Sequence, residues 1–210
     1  MEHTLYQGDR IWVNRWSYGL RLPWMSLWGY HRWGGAPVEK GDVVVFNNPS
    51  NLTEPFADRR EVFIGRCVAS PGDTLWVDSL FRIMPSAGSP DSVRRLWHVL
   101  VVPAKGDSVA VEAWNRTLLC NTLALHEGRR AEVKSDTLYV DGIPVRQCRF
   151  TQDYCWVSSD NPANLSDSRL FGFVPETHVI GRAVRIWFSK EPGTGLLRGY
   201  RWKRMGIKVE

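Results

Sequence analysis

The stretch Phe63-Ile64-Gly65-Arg66-Cys67-Val68-Ala69-Ser70-Pro71-Gly72-Asp73 decides how this chain is read. Residues 61–68 have the composition of a β-strand, and Pro71-Gly72-Asp73 closes it with turn residues. Glycine supplies the positive φ of a tight turn, and aspartate can hydrogen-bond its own backbone two residues on. The same Gly-Asp pair stands before strand-like runs at Gly8-Asp9, Gly41-Asp42 and Gly106-Asp107. Cys67, between apolar neighbours, reads as a small buried hydrophobe.

Outward from that stretch the pattern stays β. Residues 10–16, 43–46, 74–77, 96–102, 109–111, 137–140 and 154–157 are short runs rich in β-branched and aromatic side chains beside turn residues. Asp141-Gly142 marks a two-residue hairpin between 138–140 and 143–145. Only 113–126 reads as helix, with Trp114, Leu118 and Leu125 on a rough 3.6-residue period. The expected fold is therefore mainly β, in antiparallel twisted sheets with little helix. We expect a β core formed by 1–79 and 138–195, an inserted second β region at 80–137, and a basic, aromatic tail at 196–210.

The 210 residues suit one compact domain, or one domain carrying a large insertion, and 43% hydrophobic with 23% charged residues is the composition of a packed globular chain. A net charge of +5 suits an anionic lipid surface or nucleic acid, or simply a solvated basic surface. No helix-turn-helix, finger or RNP-like pattern is present, so nucleic acid is not an expected partner. Eleven Trp is a high count, and the segments 20–33 and 196–208 mix aromatics with arginine and lysine. Such material suits a lipid headgroup region, or the covering of a core edge. Cys67, Cys120, Cys148 and Cys155 include no C-x-x-C, and the five histidines are scattered, so neither metal nor cofactor is expected. Cysteine pairing stays open. No run approaches the ~18 to 20 apolar residues of a membrane span, and no signal peptide is read at the start.

Four segments in order then resemble type I signal peptidase, the S26 family. They are Met1-Glu2-His3-Thr4-Leu5 with the strand after it, Lys40-Gly41-Asp42-Val43-Val44-Val45-Phe46, the stretch around Gly65, and Asp160-Asn161 through Ser166-Asp167-Ser168-Arg169 to Pro175. Residues 179–189 continue the last. The resemblance implies a serine-lysine endopeptidase on the outer, periplasmic face of a membrane, acting on signal-peptide-bearing precursors. In that chemistry serine is a weak nucleophile that needs an adjacent base, and lysine serves when burial lowers its pKa. It further implies that Met1, Leu5, Phe63 and Ile64 line a substrate pocket, and that Arg66, Asp160, Asp167 and Arg169 brace the site.

Three positions depart from the family pattern. The general-base lysine corresponds to Gly65, which has no side chain to take a proton. The orienting hydroxyl corresponds to Leu165. The nucleophile would precede Met1, together with the anchor expected before it. The resemblance therefore leads us to expect a signal-peptidase-like protein with impaired catalysis that keeps a groove for a precursor or another extended peptide. It would touch the membrane through its Trp/Arg-rich segments. The alternatives are an active endopeptidase with a rebuilt site, and a basic β module that binds membrane or nucleic acid.

Overall fold

The computed structural model describes residues 4–21, 32–34, 36–51, 54, 57–84, 97–159, 166–195 and 198–209. Its strands are β1 (Asp9–Asn14), β2 (Leu20–Arg21), β3 (Arg32–Trp33), β4 (Val43–Asn47), β5 (Val62–Ala69), β6 (Thr74–Val77), β7 (His98–Val101), β8 (Ser108–Ala110), β9 (Ala131–Lys134), β10 (Thr137–Val140), β11 (Ile143–Pro144), β12 (Gln147–Arg149), β13 (Tyr154–Ser158), β14 (Val174–Pro175) and β15 (Val179–Ser189). Helix α1 (Arg116–His126) and the one-turn α2 (Ser168–Phe171) are the α-helices among the described residues.

Six strands form the main sheet in the order β1-β15-β4-β5-β13-β14. Every described pairing in it is antiparallel. The continuous apolar run of β4 explains its place: all five residues are buried, because both faces of this strand are covered. Val44 and Phe46 face one apolar cluster with Cys67, Val157 and Phe171. Val43 and Val45 face another with Ala183, Ile186 and Val209, against which Leu5, Ile11 and Ile64 pack.

The chain between β5 and β13 builds a second layer of smaller antiparallel ladders, β6-β7, β8-β12 and β9-β10-β11, with α1 against them. Leu75, Leu100, Leu119, Leu138 and Phe150 pack there on Trp156, Tyr154 and Phe173. This layer thus shares its core with the main sheet. Asp141 and Gly142 both have positive φ, and β10 pairs with β11 across them, as the Asp-Gly signal predicts. The four cysteines are free thiols. The expected helix at 113–126 is shorter, because Asn115 stands outside it and accepts the Glu112 N–H.

Residues 199–209 run along the edge of β15 left open by β4. Arg201 N–H donates to Ser189 O (3.0 Å), Gly206 N–H to Ile186 O (2.7 Å) and Val209 N–H to Val184 O (3.0 Å). Val209 enters the core while Trp202 stays exposed. Of the two readings of this tail, covering a core edge is the one these residues realise.

Candidate functional site

The site begins with β5. Its partner β4 runs along 62–66, from Val62↔Asn47 to Arg66↔Val43. On the other side β13 pairs only from Ser158↔Arg66 onward to Trp156↔Ala69. Val62, Phe63, Ile64 and Gly65 therefore have no strand on that side among the described residues. β5 is thus an inner strand whose first half passes beyond the end of its neighbour β13.

Gly65 is buried, and its backbone is outside the left-handed region, so conformation does not demand glycine here. Space does. A Cβ at this position would sit 2.3 Å from Val157 Cγ1 and 3.3 Å from the Ser158 carbonyl oxygen. Carbon atoms prefer separations of about 3.5–4.0 Å, so even a methyl group has no room. Val157 is held there twice. A register shift at Trp156/Val157 sets its height on β13, and its N–H donates to Ser168 Oγ at 2.9 Å. The direction in which a side chain at 65 would project is occupied by a valine.

The fourth sequence segment supplies that fastening. Asp167 is fully buried and caps α2 by accepting the Arg169 N–H at 3.0 Å. The same carboxylate accepts Arg169 Nε (2.9 Å) and Nη2 (2.8 Å), and the Ser159 N–H (2.8 Å). The bond to Asp167 raises the Arg169 guanidinium above its ordinary pKa. A buried carboxylate needs such partners, and here they tie the end of β13 to α2. Arg66 ties the third segment to the second and the first, donating to Gly41 O (3.0 Å) and Thr4 Oγ1 (3.4 Å).

A cavity of about 430 Å³ opens beside the free half of β5. Leu5, Tyr6 and Ile11 line it, as do Val62, Phe63, Ile64 and Ser166. Leu5, Phe63 and Ile64, expected in a substrate pocket, are thus brought together. Met1, Asp160 and Leu165 lie outside the described residues. No lysine or histidine lines this cavity among the described residues. A second cavity of about 520 Å³ involves Tyr18, Arg32, Lys105, Asp153 and Glu176 and shares no residue with the first. Burial, with Asp153 adding to it, raises the Glu176 carboxyl.

Asp9 also lines the first cavity. It accepts Ser189 Oγ, the Tyr6 N–H (2.9 Å) and Arg204 Nη2 (2.7 Å). Burial alone would raise its carboxyl, but these donors outweigh it and hold the carboxyl below the usual range. Val157, Ser166, Tyr6 and Arg204 were not singled out from the sequence. Each meets residues distant in sequence at the cavity or the core, and only the β-branched Val157 beside the strand end left a local trace.

With this geometry in place, comparison with known proteins gives one consistent answer. The family model for signal peptidase, peptidase S26, matches residues 1–83 and 98–188. The chain is 23% identical over 239 aligned positions to a signal peptidase I of Helicobacter pylori (strain J99), covering 100% of this chain and 82% of that one. It is 28% identical over 206 positions to the signal peptidase I of Pseudomonas fluorescens, covering 90% and 62% respectively. The figures for the signal peptidase I of Haemophilus influenzae are 25% over 239 positions, 100% and 67%.

Proposed function

The chain belongs to the signal peptidase, peptidase S26, family, and from that premise we propose that it is a signal-peptidase-like protein that binds extended peptides without cleaving them by serine-lysine chemistry. The family fold is mainly β, as the strands and sheets described above are. One observation carries the reading: Val157 fills the space into which a side chain at 65 would project. A general base contributes roughly 10²–10⁴ in rate, and a glycine backed by a packed valine offers none. Binding needs less. The side of Val62–Gly65 that has no strand among the described residues offers backbone groups to an added strand, and the cavity beside Leu5, Phe63 and Ile64 offers a place for a side chain.

The test is incubation of the detergent-solubilised protein with a secretory precursor. We expect no processing, and none from Gly65→Lys, because Val157 still occupies the site. Cleavage at Ala-x-Ala-like positions by the unaltered protein would overturn the reading in favour of a rebuilt catalytic site.

We place the protein at a membrane surface on the extracytoplasmic side. The outward face of β1 and β15 sets Trp12 opposite Arg185 and Arg10 opposite Phe188, with Trp187 exposed at a register shift. Exposed Trp among cations suits an anionic headgroup layer. No helix among the described residues is long and apolar enough to cross a membrane. Flotation with anionic vesicles checks this: we expect Trp12→Ala/Trp187→Ala to lower the bound fraction several-fold. Equal flotation of both proteins, or retention on DNA but not on vesicles, would refute it.

A further inference from the structure

The family match ends at residue 188, yet the residues beyond it reach back to the opposite end of the chain. Hydrogen bonds to β15 fix the backbone of 199–209. From that fixed strip Arg204 Nη2 donates to Thr4 O (2.8 Å) and to Asp9 Oδ2 (2.7 Å). Its guanidinium also lies 4.0 Å from the centroid of the Tyr6 ring. Arg201 Nη1 donates to Gln7 O (3.1 Å). The Asp9–Arg204 pair is almost dry, with side-chain exposures of 2% and 19%.

These contacts act on residues 4–9, alongside Arg66 on Thr4, the Lys190 N–H on Gly8 O (3.2 Å) and the Ser189 hydroxyl on Asp9. That segment contains no described strand before Asp9, yet Leu5 and Tyr6 line the cavity beside β5. A segment with few internal hydrogen bonds opens easily unless something outside it supplies them. Charge-assisted bonds from one planar guanidinium to two acceptors, with an aromatic face stacked on it, give both strength and direction.

We propose that Arg204 is a positioning residue for peptide recognition: it clamps 4–9 against the sheet so that Leu5 and Tyr6 form the wall of the binding cavity. The consequence for peptide affinity rests on the groove reading above, whereas the clamp itself does not. A peptide that places an apolar side chain between Leu5 and Ile64 then meets a wall that is already ordered. Binding avoids the cost of ordering it. The Asp9 carboxylate adds a pH signature. Its depressed pKa means that the clamp is complete above the ordinary aspartate value of about 3.9 and is lost as pH falls through the lower, folded value.

Amide exchange and peptide binding on Arg204→Met and Arg204→Lys test this. We expect Arg204→Met to lower protection at Tyr6 and Asp9 about tenfold while β4 and β5 keep theirs, with Arg204→Lys in between. A fluorescein-labelled secretory-precursor peptide containing Ala-x-Ala should bind Arg204→Met about tenfold more weakly. The acid-induced loss of protection at 4–9 should shrink in Arg204→Met, where Ser189 and the Tyr6 N–H alone still bond the Asp9 carboxylate, which a general loss of stability would not produce. Unchanged protection at 4–9 in both variants overturns the clamp. Lowered protection with unchanged peptide affinity overturns its role in recognition. If the unaltered protein binds no peptide, the groove reading fails, and exchange alone decides the clamp. Should Arg204→Met not fold, Arg204→Lys carries the same comparison.

Discussion

Gly65→Ala is the smallest change that interrogates the filled site. The new methyl would stand 2.3 Å from Val157 Cγ1, more than 1 Å inside a comfortable carbon contact. Val157 is fully buried and its backbone is fastened to Ser168, so it has little freedom to withdraw. Overpacking of this kind costs about 1–3 kcal/mol. Replacing glycine by alanine within a strand returns roughly 0.5–1 kcal/mol. The net expectation is a loss of about 0.5–2 kcal/mol, or a Tm lower by roughly 2–6 °C in a chain of this length. Val157→Ala alone deletes two buried methyl groups, worth about 1.6 kcal/mol plus a cavity term. In Gly65→Ala/Val157→Ala the added methyl enters the vacated space. The double variant should therefore be more stable than the sum of the singles by about 1–2 kcal/mol. Urea unfolding of the four proteins measures the cycle. Additivity within about 0.5 kcal/mol would refute the claim that these two positions compete for one volume.

Two further outcomes follow from the surrounding residues. Asp167→Ala should lower stability by about 3–5 kcal/mol, because it leaves Arg169 and the Ser159 N–H without their buried acceptor; an unchanged urea midpoint would sink this. Burial, with Arg60 nearby, pushes the His126 imidazole down to about 4. Below the ordinary value of about 6.5 the unfolded chain takes up a proton that the folded protein refuses, so stability should fall as pH drops from about 6.5 toward 4. His126→Gln should flatten that slope in urea titrations, and an identical slope in both proteins would show that another group is responsible.

The sheet strands were legible because their signals are local. Runs such as Val43-Val44-Val45-Phe46 and the Gly-Asp turns declare themselves within a few residues, and the structure has strands and turns there. The helix at 113–126 was legible in type but not in length, since Asn115 uses its side chain outside the first turn. The one-turn α2 was not anticipated, although Asp167 is a good N-cap residue, because four residues are too few for a periodic pattern. The basic, aromatic tail left two readings open, and hydrogen bonds to a strand edge 12 to 25 residues away in sequence show it covering that edge.

What the sequence by itself determined is the family, the β character and a glycine at position 65, all properties of residue type and order along the chain. Only the tertiary structure decided why that glycine has no room for a side chain. Val157 lies 92 positions away, and a strand register places it in the volume that a side chain at 65 would need. Residue order shows which residue stands at a position, but volume in a close-packed interior is shared among distant segments and belongs to no single stretch of chain.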